Sequence, residues 1–135
     1  MSIFGMKFNS AEMAQTLSAM LQPDEVLEAA VYAVFMRGVF ESGPQSMVGY
    51  LGLTNQHRLI GCKYALFGET QFSVYLQCVT KLKVKKTLFG QRRITLKSDN
   101  QNLNIQIVPK IYGKKFPDQG SFLEKMLSVL NLYQR

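Results

Sequence analysis

Residue types that do chemistry on their own are scarce in this chain, and their spacing limits what they can do. His57 is the single imidazole, and Cys62 and Cys78 are the two thiols. An ordinary zinc cage needs more thiolates and imidazoles than these, at spacings such as Cys-x-x-Cys. Both cysteines read as small apolar strand residues, and a disulfide between them is disfavoured by the reducing compartment expected below. His57 lies in a turn beside Arg58, with no identifiable catalytic partner, so it reads as a solvated turn residue. Asp24, Glu25 and Glu28 fall near the start, but no Gly-rich phosphate loop or nucleophile elbow accompanies them. The expectation is a protein that is not an enzyme, holds no metal, uses no cofactor and offers no identifiable small-molecule substrate site.

The chemistry that the sequence does offer is electrostatic. The formal net charge is +7, yet residues 1–69 carry four Lys/Arg against six Asp/Glu, while residues 70–135 carry twelve against three. Between Glu69 and Asp99 there are seven cations and no acid. Lys81, Lys83 and Lys85 alternate with Leu82 and Val84, and Arg93, Thr95 and Lys97 alternate with Ile94 and Leu96. A period of two puts the cations on one face of a hairpin and the apolar residues on the other. Directly opposed residues share a face, which fixes the register. A three-residue loop over 88–90, with Gly90 left-handed, pairs Thr87 with Gln91, Lys85 with Arg93, Lys83 with Thr95 and Lys81 with Lys97. A two-residue loop would set Lys85 against Ile94.

Lys86 and Arg92 flank the hairpin tip, and Phe89 sits at it beside Leu88. Lys81, Lys83, Lys85, Lys86, Phe89, Arg92, Arg93 and Lys97 are therefore the candidate surface for an anion, a lipid headgroup or a protein partner. A cation close to an acidic bilayer contributes about 1 kcal/mol. Two readings stay open for the ribbon, a docking face and a solvated face whose lysines guard an edge strand. Phe89 likewise either dips into headgroups or packs on the core or a partner. Nucleic acid ranks below lipid and protein, because Tyr112 near Lys110, Lys114 and Lys115 is a lone aromatic and no row of stacking rings accompanies the charge.

The elements that must position these residues are short. Asn9 with Glu12 makes a capping signal, and Met13, Leu17, Met20 and Leu21 recur at helical spacing, predicting an amphipathic helix over 10–21. That apolar stripe is a candidate self-association surface, with packing on the chain's own core as the alternative. Strands are expected near 25–38, 47–53, 58–64, 71–76, 81–85, 93–97 and 103–108, separated by polar turns. A final helix, capped by Asp118 or Ser121, presents Phe122, Leu123, Met126, Leu127, Val129, Leu130 and Tyr133 as a broad apolar face. No run approaches the roughly 20 apolar residues of a membrane span, and the N-terminus lacks the order of a secretory signal. A cytoplasmic location is expected.

A helix, about seven antiparallel strands and a second helix, in that order, resemble the bacterial pleckstrin-homology-like domains, relatives of the GRAM group. The resemblance covers roughly residues 22–132. It rests on Leu21-Gln22-Pro23-Asp24-Glu25 before the first long strand, and on Gly49-Tyr50-Leu51-Gly52-Leu53-Thr54-Asn55-Gln56-His57-Arg58-Leu59-Ile60, where Thr-Asn ends one strand and Arg-Leu-Ile begins the next. An extra residue sits in that turn. Thr suits a strand end and Asn a left-handed turn conformation. The resemblance implies a mainly β, α+β fold of two near-orthogonal sheets in a partly open barrel, closed by the C-terminal helix. It divides the chain into an N-terminal helical extension over 1–21 and a domain over 22–135. It also implies a non-enzymatic binding or scaffolding module that makes protein contacts or self-assembles, with peripheral binding to acidic lipids as the alternative. In eukaryotic relatives phosphoinositide selectivity comes from the loop joining the first two strands; here 41–46 holds no Lys or Arg, which disfavours it.

Overall fold

Alternation along the strands decides which residues meet which helix. A computed structural model describes residues 2–3, 6–7, 9–36, 47–65, 68–88, 90–98, 101–109 and 116–134. A two-stranded ribbon, β1 (Ser2–Ile3) and β2 (Met6–Lys7), precedes α1 (Ser10–Ser18). The strands β3 (Leu27–Met36), β4 (Met47–Thr54), β5 (Arg58–Ala65), β6 (Gly68–Tyr75), β7 (Lys81–Lys86), β8 (Arg92–Ser98) and β9 (Gln101–Ile107) follow, and α2 (Gln119–Leu130) comes last. The expected loop 41–46 lies outside the described residues.

The seven long strands form one antiparallel sheet in the order β6-β5-β4-β3-β9-β8-β7. β3 is its shared member: it pairs with β4 from Leu27 to Phe35 but with β9 only from Val34 to Met36. The fold is thus mainly β with a helix at each end of the chain. Where two near-orthogonal sheets in a partly open barrel were expected, the strand pairing runs through one continuous sheet, and among the described residues nothing pairs β6 with β7.

Each face of the sheet has its own helix. Odd residues of β3 (Ala29, Val31, Ala33, Phe35) join Leu51, Leu82, Ile94, Ile105 and the α2 residues Leu123, Met126 and Leu130 in the larger core. Even residues Ala30 and Tyr32 turn to the other side, where Tyr50, Ile60, Cys62 and Tyr64 pack against Met13 and Leu17 of α1. Burying a Leu or Met side chain in either core stabilises by about 2 kcal/mol. Gly49 belongs at its position because a Cβ there would lie 1.9 Å from the Cys62 carbonyl oxygen of the adjacent strand. No helix among the described residues is long and apolar enough to cross a membrane.

The helix ends follow the sequence unevenly. Asn9 caps α1 by accepting the Glu12 N–H at 2.8 Å, but the helix stops at Ser18 and continues only as single turns to Leu21. α2 begins at Gln119 behind Asp118, whose side chain makes no capping bond, and the Ser121 hydroxyl donates to the Asp118 carbonyl at 3.1 Å. Gln119 docks the helix instead. Its buried amide accepts the Tyr32 N–H at 2.9 Å and donates to the Tyr32 and Val108 carbonyls at 2.9 and 3.1 Å.

A second polar anchor holds the other face. Glu25 and Arg58 are both buried, with Arg58 Nη2 2.6 Å from Glu25 Oε1 and Arg58 Nε 3.0 Å from Oε2. The same guanidinium donates to the Met20 carbonyl at 2.9 Å, and Glu25 accepts the Gln22 N–H at 2.9 Å. The Thr-Asn turn completes this knot. Asn55 accepts the Val26 N–H at 2.9 Å, and Thr54 Oγ1 accepts the N–H groups of Gln56 and Arg58 at 3.2 and 3.3 Å. Among the described non-glycine residues the left-handed ones are Asp24 and His57, with φ of 66° and 55°, rather than Asn55. Arg58 hydrogen bonding holds the Glu25 carboxyl at about 2, well below its ordinary 4.5, against the opposing effect of burial.

Three outcomes follow for stability. The depressed Glu25 value contributes about 3 kcal/mol that is fully present above pH 4.5 and is lost as pH falls toward 2; acid titration of the unfolding free energy shows this loss, and Glu25→Gln flattens it. Arg58→Met strands a buried carboxylate and costs about 3–5 kcal/mol in urea unfolding. Gln119→Ala removes three bonds from buried or half-buried backbone and costs about 2–3 kcal/mol by the same measurement.

A basic ribbon on the β7–β8 hairpin

The hairpin has the register that side-chain parity demands. Lys81 lies opposite Lys97, Lys83 opposite Thr95, Lys85 opposite Arg93 and Lys86 opposite Arg92. Gly90 has φ of 81°, and Thr87 N–H donates to the Gln91 carbonyl at 2.8 Å, so the loop over 88–90 closes as expected. Leu82, Ile94 and Leu96 are fully buried beneath it, which locks the opposite face outward.

Lys81, Lys83, Lys85 and Lys97 are exposed on that outward face, and Arg93 is half-buried among them. Arg93 Nη2 donates to Gln106 Oε1 at 3.1 Å, and Gln106 in turn donates to the Gln91 side chain. The face extends onto β9, whose Asn102, Asn104 and Gln106 lie opposite Lys97, Thr95 and Arg93. This row of amides was legible as alternation with Leu103, Ile105 and Ile107, but only the pairing of β8 with β9 sets it beside the cations.

The pleat sends the remaining two cations elsewhere. Lys86 and Arg92 share the α2 side of the hairpin, where they line a cleft of about 370 Å³ with Val84, Leu127 and Glu124. Arg92 lies 3.8 Å from the Glu124 carboxylate and donates to the Gly90 carbonyl at 2.8 Å. Phe89 lies outside the described residues, while its neighbour Leu88 is 93% exposed.

The other candidates are occupied within the chain. Met13 and Leu17 are buried on the sheet, with Met20 and Leu21 packed at the margin of the same core. His57 is not a free solvated residue: its Nδ1 is 2.6 Å from the Tyr133 hydroxyl, and the two rings meet edge to face. This contact ties the β4–β5 turn to the chain's last helical turn. Cys62 is a buried thiol 3.5 Å from Glu69, its titration pushed up by burial, and Cys78 is exposed; both are free. Among the described residues no cluster of His, Cys, Asp and Glu could hold a metal.

No protein-family model matches the sequence, and no curated protein matches it. The fold does have solved counterparts. A DUF1696 family protein with a pleckstrin-homology domain from Shewanella loihica PV-4 superposes with a TM-score of 0.53 at 19% identity, over 94% of each chain. A pleckstrin homology domain from Shewanella amazonensis SB2B is a looser likeness, with a TM-score of 0.42 at 16% identity, over 86% of this chain and 96% of that one. The chain has the fold of a bacterial pleckstrin-homology-like domain.

Proposed function

We propose that this chain is a non-enzymatic binding module whose β7–β8 ribbon docks an acidic surface of a partner protein. One observation carries the reading. Two cross-strand pairs on the hairpin's outward face, Lys81 with Lys97 and Lys85 with Arg93, set cation against cation. Like charges directly opposite destabilise a sheet, and a surface needing only solubility would mix the two signs. Among the described residues, carboxylates pair with Arg58, Arg92 and Lys125 but with none of Lys81, Lys83, Lys85 and Lys97. The amides of Asn102, Asn104 and Gln106 add hydrogen-bonding capacity that a protein surface can use. Self-assembly through α1 has less support, since Met13 and Leu17 are covered by the chain's own sheet.

A second reading, peripheral attachment to acidic lipids, is favoured by exposed Leu88 at the tip beside the cations. Retention on immobilised polyglutamate and co-sedimentation with neutral and acidic liposomes, each at low and high salt, separate the two. The protein reading expects salt-sensitive retention that Lys83→Glu with Lys85→Glu weakens about tenfold or more. Lys63→Glu with Lys125→Glu, on β5 and α2 and so off the hairpin, changes the net charge equally and leaves it within about twofold. The liposomes show no acidic preference. Acidic-liposome binding without polyglutamate retention moves the function to the membrane, and equal loss in both double variants reduces the ribbon to general charge.

A further inference from the structure

β7 ends the sheet, and among the described residues no strand pairs with its outer side. Parity fixes which groups point there. Because Thr87 N–H bonds Gln91 across the hairpin, odd-numbered backbone groups serve β8, and those of Leu82, Val84 and Lys86 point outward. Val84 shows the consequence: its N–H donates at 3.3 Å to the side-chain oxygen of Gln134. The other end of that amide donates to Asn131 Oδ1 at 2.7 Å. An exposed side-chain amide thus takes the place of a neighbouring strand's carbonyl.

Two grooves meet at Val84. One, of about 380 Å³, runs along Leu82, Lys83, Val84 and Lys85 to Gln134. The other is the cleft between the hairpin and α2, with Val84 and Leu127 as its apolar lining. A strand laid along β7 turns alternate side chains to opposite sides of the sheet. One set meets Lys81, Lys83 and Lys85; the other meets Val84 and Leu127.

We propose that β7 accepts an extended acidic segment of a partner protein as an eighth strand, with carboxylates over Lys81, Lys83 and Lys85 and small apolar side chains between them over Val84 and Leu127, displacing Gln134. The proposal rests on the reading of the ribbon as a dock for an acidic protein and adds its mode, strand addition. Charge complementarity selects this occupant over a second copy. The other open edge, β6, carries Glu69 as its one carboxylate beside Thr70, Gln71 and Ser73, too little to answer four lysines.

The test uses a blocked peptide of alternating glutamate and valine, titrated by fluorescence anisotropy, with two N-methylated versions, one methylated on every valine and one on every glutamate. Strand addition expects the parent to bind, one N-methylated version to lose more than tenfold, and the other to stay within about threefold, because only one set of N–H groups faces β7. Val84→Pro removes the outward donor and leaves the pairing with β8 intact; it weakens the parent peptide about tenfold, and Gln134→Ala tightens it about twofold. Should Val84→Pro unfold the chain, the peptide pair still decides. Equal binding of both N-methylated versions overturns strand addition. So does a parent peptide that fails to bind while polyglutamate is retained, an outcome that leaves the acidic dock standing; failure of both removes dock and strand together.

Discussion

The Glu25–Arg58 ion pair is the constraint around which the rest is arranged. Two buried charges cost several kcal/mol each in lost hydration, and their attraction repays this only when the geometry is good and the remaining hydrogen-bonding capacity is filled. Both conditions hold. The carboxylate receives two guanidinium bonds and the Gln22 N–H, and the guanidinium's further reach ends on the Met20 carbonyl. One side chain from the start of β5 thereby fixes the turns that follow α1 and the approach to β3. With α1 held there, Met13 and Leu17 cover the face of β3, β4 and β5 that α2 does not reach. The pair also spends the first half's charge internally. Glu25 is matched by Arg58, and Glu28 lies 3.3 Å from Lys125 of α2.

The hairpin is governed by a different rule. Its register follows from the buried trio Leu82, Ile94 and Leu96, because a slip of one residue would expose all three and bury lysines. Core packing therefore enforces the alignment of cation against cation. Arg93 tolerates its half-buried site through the Gln106 amide, which Gln91 accepts in turn. The result is a face whose electrostatic strain is set by the hydrophobic pattern on its reverse.

Legibility in the sequence tracks the range of the interaction. The hairpin register, the Asn9 cap and the position of Gly90 are local, and each was readable from spacing alone. The seven strands and two helices followed from alternation and helical periodicity, with the Thr-Asn and Arg-Leu-Ile segments carrying the likeness to the fold. What escaped was long-range and polar. Glu25 and Arg58 each look like surface charges in sequence, and nothing local says that they meet 33 positions apart. His57 looks solvated until Tyr133 arrives from 76 positions away, and Gln119 gives no sign that it will stand in for a strand against Tyr32. The division of Lys86 and Arg92 from the ribbon was implicit in parity, but the cleft they line exists only because α2 passes over it.

Glutamine side chains serve three places where the strands leave backbone unpaired. Gln119 serves both groups of Tyr32 from the start of α2; Gln101 donates to the Ser73 carbonyl on the β6 edge at 2.9 Å; Gln134 accepts from Val84 on the β7 edge. An amide offers one donor and one acceptor side, as a peptide unit does, so it substitutes for a strand locally without extending the ladder. The three differ in burial, and that decides their permanence. Gln119 is enclosed, so losing it would leave half-buried backbone groups without partners at a total cost of about 2–3 kcal/mol. The bonds of Gln101 and Gln134 are exposed, and water replaces them at little net cost. Of these two edges only β7 carries a row of like charges, and repulsion among Lys81, Lys83 and Lys85 opposes its pairing with any strand that does not bring carboxylates. The same lysines that keep wrong strands away set the chemistry of the right one.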